Sequence, residues 1–235
     1  MIRKVIIIIS SIILIISSYN IGSYIYESIG NKKLYKETFS KYETFSKEND
    51  KNKSDIDTNP FQKINNNMVG WIEVPNTNID YPIVKGKDNF HYLYHNIEDE
   101  KSIHGSIFMD YRNKNWDDKN TIVYGHHMKD GTMFKELTKY KKKDFFDNND
   151  SFYIDTGSVK VEYEIFSVNV FKGNSNYIRT NFNSSKEFLD YIGYIKKESV
   201  FYRDVEFETD QDIITLSTCS YEFDDARTVV YAIKK

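Results

Sequence analysis

Cysteine is almost absent from this chain of 235 residues: Cys219 is the only one. An intrachain disulfide is thereby excluded, and with it the small secreted domain that is stapled rather than built around a core. A large excess of charge is absent too. The formal net charge is −3, which gives no support for nucleic-acid binding, since that usually shows as a strongly basic face. No internal repeat appears, alanine occurs only at Ala226 and Ala232, and no HExxH pattern or cysteine cluster supports a zinc site. What is present is 40% hydrophobic and 29% charged residues. That balance fills the core of one domain of ordinary size plus short appendages, and it argues against wholesale disorder.

The long apolar run lies at the front. No side chain is charged from Val5 to Tyr26, and Ile6 to Ile16 is mostly isoleucine. A run of about 20 such residues crosses a bilayer as a helix, with every backbone hydrogen bond closed internally. Arg3 and Lys4 precede it, which places the N-terminus in the cytoplasm, although Lys32, Lys33 and Lys36 follow it. The competing reading is a cleaved signal peptide. No A-x-A-like site is visible, and Tyr19, Tyr24 and Tyr26 suit a membrane interface, so an uncleaved anchor is expected. The expected organisation is a cytoplasmic stub and transmembrane signal-anchor over 1–30, a juxtamembrane helical segment over 31–66, and an extracellular catalytic barrel over 67–235. Within the middle segment, Leu34, Tyr35, Phe39, Tyr42 and Phe45 are spaced as on a helix. A polar break from Lys47 to Asn59 and a second short helix near Phe61 to Asn67 follow.

From Val69 onward the pattern changes to short β runs. The candidates are Gly70–Val74, Ile79–Val84, Ser106–Asp110, Thr121–Tyr124, Ser151–Asp155, Lys160–Phe171, Ile213–Cys219 and Thr228–Ile233. Eight such strands predict a mainly β fold, closed as a barrel rather than open and parallel. Two helices interrupt them. One spans Thr132 to Tyr140. The other starts at Ser184, where Ser184 and Glu187 fit a capping box and Phe188, Leu189, Ile192 and Ile195 form an apolar stripe.

A lone thiol outside the cell is a partner for an intermolecular disulfide, a buried bystander or a nucleophile, and its neighbourhood decides. The run Ile213-Ile-Thr-Leu-Ser-Thr-Cys219 ends in that thiol, and the chain resumes after Ser220 to Ala226 as Arg227-Thr-Val-Val-Tyr-Ala-Ile. Paired as an antiparallel hairpin, the two runs set Cys219 and Arg227 opposite each other at the sheet's end. A guanidinium there favours thiolate over thiol and donates to a developing oxyanion. The bland alternative is a surface arginine paired with Asp224 or Asp225. A thiol nucleophile also needs an acid/base partner, and histidine titrates in the useful range. His126 and His127 close the run Thr121-Ile-Val-Tyr-Gly125, and strand alternation lets one of them reach Cys219. Gly125 would allow close approach of substrate or backbone. His91 and His95 are read as structural, and His104 as a loop residue.

Taken together these residues resemble the sortase family. Thr215-Leu-Ser-Thr-Cys219 with Arg227 is similar to its cysteine strand and arginine, and Tyr124-Gly125-His126 to its histidine site. The stretch Gly70-Trp-Ile-Glu-Val-Pro-Asn-Thr-Asn-Ile-Asp-Tyr-Pro-Ile-Val84 resembles the opening of class B. Asp88-Asn89, Tyr92-Leu93, His95-Asn96 and Gly105-Ser-Ile-Phe-Met-Asp-Tyr-Arg112 continue that likeness, as does the helix at Ser184. The resemblance implies an eight-stranded sortase barrel that cleaves a sorting signal of secreted proteins. The thiolate attacks a threonine carbonyl, an acyl-enzyme forms, and an amine of a peptidoglycan peptide resolves it, leaving the protein attached to the wall. It assigns Cys219 as nucleophile, His126 as acid/base and Arg227 as stabiliser of substrate and oxyanion, with no metal or organic cofactor. Asn89, Leu93, Tyr177, Ile178 and Ser217 match positions of the substrate groove. Two rivals are set against it. A wall-hydrolysing cysteine peptidase or amidase of the papain-like kind has its cysteine at a helix N-terminus and upstream of the histidine, unlike this chain. A membrane-tethered binding barrel would use the 19 tyrosines but leaves the Cys–His–Arg conjunction unexplained.

Overall fold

In the computed structural model, which describes residues 2–49, 60–114, 116–207 and 211–235, the β-rich runs pair into one mixed sheet that closes on itself. The strands are β1 (Met68–Glu73), β2 (Asp80–Lys85), β3 (Ile107–Met109), β4 (Asn120–Tyr124), β5 (Ser151–Asp155), β6 (Lys160–Lys172), β7 (Ser199–Tyr202), β8 (Ile213–Cys219) and β9 (Ala226–Lys234). Around the barrel the order is β1-β2-β3-β4-β8-β9-β6-β5, and β5 returns to β1 through Trp71↔Asp155, Ile72↔Ile154 and Glu73↔Tyr153. The expected closed eight-stranded barrel is therefore the fold. β7 is a ninth strand outside that ring, paired with β6 beside a register shift at Val168/Asn169. No strand was expected there, because four half-exposed residues carry no period-2 pattern.

Alternation decides what each strand buries. On β9, Val230 and Ala232 join the barrel interior with Ile72, Ile83, Ile107, Val123, Ile165 and Leu216. Val229, Tyr231 and Ile233 point the other way, under α3 (Ser185–Lys197) with Phe188, Tyr191, Ile192 and Ile195. Ser184 caps α3 as expected, accepting from Glu187 N–H at 3.2 Å. The reciprocal arm differs: the Glu187 carboxylate reaches Asn183 N–H at 2.6 Å instead of Ser184 N–H. Cutting Ile195 back to alanine in so closed a packing would cost about 2–5 kcal/mol.

The helix expected over Thr132 to Tyr140 is a 3-10 helix, Lys135–Lys141, followed by the short α2 (Lys143–Asn148). Met133 prevents the earlier start. Its φ is +58°, outside any right-handed helix, and its N–H goes to the Tyr81 hydroxyl at 3.2 Å.

α1 (Ile2–Asn49) runs 48 residues and passes residue 30 without a break. It is long and apolar enough to cross a membrane, and its most apolar 18-residue window is wholly unburied. Beyond that window it lies on the barrel through Tyr24, Ser28, Asn31, Tyr35, Thr38, Tyr42 and Phe45, alternately four and three residues apart. The Tyr42 ring stacks on Trp71 at 4.3 Å, and its hydroxyl donates to Asp155 at 2.9 Å. Most of the expected polar break, residues 50–59, lies outside the described residues. The expected second helix is a single 3-10 turn, Pro60–Lys63, whose Phe61 packs on Phe45.

Candidate active site

β4 and β8 lie side by side and run parallel, in the register Thr121↔Ile214 through Tyr124↔Ser217. The pairing continues one step further, where Gly125 N–H donates to Ser217 carbonyl at 3.1 Å. Two residues beyond Tyr124 stands His126, and two beyond Ser217 stands Cys219, so the parallel pairing delivers both to the same end of the sheet. β8 and β9 are antiparallel, and Cys219 is paired directly with Arg227. The hairpin between them is closed by Ser220 N–H to Ala226 carbonyl at 2.9 Å and turns at Asp225, whose φ is +59°. Gly173 makes room for that turn, since a Cβ there would stand 2.6 Å from the Asp225 carboxylate. Gly125 serves the core rather than a substrate: a Cβ would stand 2.4 Å from Ile107 and 2.7 Å from Phe134.

The two histidines, just beyond the end of β4, have different partners. His126 is half-buried, and its Nε2 donates to the Leu93 carbonyl at 2.7 Å. A carbonyl only accepts, so the neutral ring carries its proton on Nε2 and leaves the Nδ1 lone pair for chemistry. Burial lowers the His126 pKa below the ordinary imidazole range, while the Leu93 carbonyl pulls the other way. His127 instead meets Tyr221 edge-on at 5.0 Å. It lines a hollow of about 260 Å³ with Thr138, Lys141, Ser220, Tyr221 and Glu222. Of the remaining histidines, His104 is near enough for its charge to help lower the His126 pKa, after burial. His91 and His95 stack at 4.3 Å, with His95 Nδ1 on the His91 carbonyl. His104 lies in a loop as expected but is fully buried.

Arg227 meets both readings of it. It faces Cys219 across the hairpin, and its Nη2 also pairs with Asp225 Oδ1 at 2.7 Å while Nη1 donates to the Ala226 carbonyl at 3.0 Å. The positions expected to line a substrate groove connect to this end. The Ser217 side chain meets the Tyr177 hydroxyl at 3.3 Å. Burial raises the Tyr177 pKa, with the Ser217 hydrogen bond and nearby Arg227 acting against it. Three successive carbonyls of this wall are tied down: Tyr177 by the Tyr191 hydroxyl at 2.7 Å, Ile178 by Arg112 at 3.3 Å, and Arg179 by Asn120 at 2.7 Å. Leu93 contributes its carbonyl to His126. Asn89 spends both ends of its amide on the scaffold, donating to Asp110 at 3.0 Å and accepting from Tyr111 N–H at 3.0 Å.

Asp110 is the residue that sequence reasoning passed over. Fully buried, it accepts from Arg112 Nε, Nη2 and N–H, from Asn89 and from the Tyr124 hydroxyl, all within 2.7–3.0 Å. Burial opposes its charge, but these donors outweigh it and hold the carboxyl below the usual carboxylate range. The hub joins the histidine strand through Tyr124, the Leu93 loop through Asn89 and the Ile178 wall through Arg112. The sequence signal was only an Asp-x-Arg at a strand end.

A family model described as "Sortase domain" matches residues 72–235. Sortase B of Listeria monocytogenes serovar 1/2a is 40% identical over 216 residues, covering 90% of this chain and 87% of that protein. The Staphylococcus aureus sortase B–substrate complex is similar in structure, with a TM-score of 0.80 at 32% identity over 89% of this chain and 98% of that one. The X-ray structure of Clostridium perfringens sortase B gives 0.72 at 39% identity, over 74% and 97%.

Proposed function

Since this chain belongs to the sortase family, in its class B, and is therefore a cysteine-dependent transpeptidase acting on a sorting signal, we propose that Cys219, His126 and Arg227 carry its chemistry. The observation that carries the assignment is the pairing of strand ends, β4 parallel to β8 and Cys219 directly opposite Arg227. Cys219 gives its thiol proton to the free Nδ1 of His126, the thiolate attacks the carbonyl carbon of the scissile bond, and the Arg227 guanidinium donates to the oxyanion. The C–N bond then breaks, and the departing amine takes the proton held on His126 Nδ1. In the second half an amine attacks the thioester, gives its proton to Nδ1 and releases the thiolate. Asn89, Leu93, Tyr177, Ile178 and Ser217 form the groove, with Asn89 and Leu93 acting chiefly through the scaffold they hold. Exposed Phe90, Tyr111, Tyr221 and Phe223 adjoin that groove in sequence and suit an extended peptide.

The acceptor in this reading is an amine of the peptidoglycan peptide, and the substrate is a secreted protein bearing the signal. The apolar first half of α1 anchors the chain with its N-terminus in the cytoplasm and residues 67–235 outside as the catalytic unit, joined by the segment 31–66. The test uses residues 31–235 with quenched sorting peptides, with and without peptidoglycan-type amines. Cleavage that is lost in Cys219→Ala and diverted to an amide product by added amine is expected. Hydrolysis indifferent to every amine would favour a wall peptidase, and no cleavage with the thiol still alkylable would favour a binding barrel.

A further inference from the structure

The changeover along α1 from lipid to protein does not fall where the apolar run stops. The uncharged stretch ends at Tyr26, yet the barrel takes hold earlier, with the Tyr24 ring stacked on His104 at 6.2 Å. One turn on, Ser28 donates to Asp130, and the Glu27 carboxylate accepts Ile103 N–H at 3.4 Å. Lys32 Nζ stands 4.0 Å from the same Asp130. Two barrel turns, 102–104 and 129–131, thus hold the helix between Tyr24 and Lys32. Elsewhere around these same helical turns, Ile25, Tyr26 and Ile29 are 51%, 80% and 64% exposed. Apolar side chains standing in water along a packed seam go against the pattern of a soluble amphipathic helix. They are accounted for when the membrane interface reaches this level, where tyrosine is at home. Ile103, 45% exposed, lies on the barrel at the same height.

We propose that the bilayer surface is the partner of this barrel face: the turns 102–104 and 129–131 rest in the lipid headgroup layer with Ile103 inserted. The catalytic unit is then docked on the membrane and does not swing on a tether. The proposal rests on the reading of α1 as a membrane span. Charge at this level is mixed, with Glu27, Glu98, Asp99, Glu100 and Asp130 among Lys32, Lys33, Lys101 and Lys129. Docking is therefore apolar and does not require anionic lipid. It fixes the height of the active site. The Tyr35 hydroxyl donates to the Gly105 carbonyl at 3.3 Å. Gly105 also abuts the Leu93 carbonyl that holds His126, a Cβ there standing 2.7 Å from it. Gly105 directly follows His104 of the docked turn, so the His126 side of the site lies close above the headgroup layer. Tyr42, which holds Asp155, is by contrast eighteen residues past Tyr24, about 27 Å along a helix that rises 1.5 Å per residue.

The test is depth-dependent quenching on the full chain in phosphatidylcholine bilayers, using Cys219→Ala so that one added thiol carries the fluorophore. The positions are Ser11→Cys in the span, Ile103→Cys on the docked face and Ser158→Cys on the β5–β6 turn next to Asp155. The Ser11 probe should be quenched by spin-labelled acyl chains. The Ile103 probe should be quenched by spin-labelled headgroups at least threefold more than the Ser158 probe, and 0.5 M salt should not abolish it. A quenched Ser11 probe with equal, weak quenching at 103 and 158 overturns the docking and leaves the anchor standing. An unquenched Ser11 probe overturns the anchor and the docking with it.

Discussion

The proposed active site has two walls of different make. The histidine wall is buried and cross-tied, with His126 on the Leu93 carbonyl and Asp110 drawing Asn89, Arg112 and Tyr124 onto one carboxylate. The hairpin wall stands in solvent, with Tyr221 73% exposed and Phe223 48% exposed, and its Arg227–Asp225 pair is part-exposed. A preorganised group must already be in place when charge develops, whereas a wall that receives a peptide gains from being free to adjust. In the mechanism proposed above, the acid/base residue is on the rigid side, and the nucleophile and arginine are on the solvent-facing side.

The sharpest break of this comparison is between neighbours that face the two walls. His126→Ala should lower turnover by about 10²–10⁴-fold, the usual worth of a positioned acid/base. His127→Ala, which removes only the ring against Tyr221, should retain a readily measured rate. Steady-state rates on folded variants decide it, and equal loss from both would remove the ground for choosing His126.

On the hairpin wall, Arg227→Lys keeps the charge and loses the planar fork, so most turnover should go, on the order of a hundredfold. Thermal stability should scarcely move, because an exposed pair is worth about 0–1 kcal/mol. Cys219 should still be alkylated. Asp225→Asn should leave the rate near that of the parent. A fully active Arg227→Lys enzyme, with Asp225→Asn as damaged as Arg227→Ala, would make Arg227 a scaffold residue.

These contrasts also mark what the sequence made legible. The register of Cys219 with Arg227 follows from two β runs joined by a short loop, and the start of α3 follows from Ser184 and Glu187. Local pattern sufficed for both. It failed where distant contacts decide. Met133 is turned out of the helical region beside Tyr81, and β7 is a strand only because β6 offers it an edge. The seam of α1 includes Ser28, Asn31 and Thr38, polar residues that hide the stripe from a hydrophobicity reading. The Asp110 hub draws on residues 89, 110, 112, 124 and 178, which nothing local connects.

A smaller effect is expected at that hub, because it positions and does not touch the reacting atoms. Arg112→Lys can still meet Asp110 but loses the bidentate grip and the simultaneous bond to the Ile178 carbonyl. A displaced His126 or groove wall should lower kcat/KM by roughly tenfold to a hundredfold, since misplacement of about 1 Å already costs that much. Asp110→Asn should also lower stability by about 3 kcal/mol, because it leaves buried donors poorly matched. If Arg112→Lys shifts the melting temperature but leaves kcat/KM and its pH profile untouched, the hub is structural only.

The smallest effect separates the walls by pH. Burial holds the His126 and His127 pKa values below the ordinary imidazole range. Unfolded, both rings bind protons near pH 6.5; folded, they resist until lower pH. Between those points the unfolded chain carries more protons, so stability is full above the ordinary imidazole range and declines as pH falls through it. Asp130, whose pKa is lowered to about 2 by hydrogen bonds from Ser28 and Thr132 that outweigh its burial, contributes a loss of the same sign, but in the carboxylate range. Urea titrations at pH 7.5 and 5.5 should therefore show a stability drop that His126→Gln with His127→Gln flattens. Asp225→Asn, on the exposed wall, should leave that drop unchanged. If the doubly substituted protein loses as much stability as the parent between those two pH values, the acid sensitivity belongs to other groups, and burial of the histidine wall is not its source.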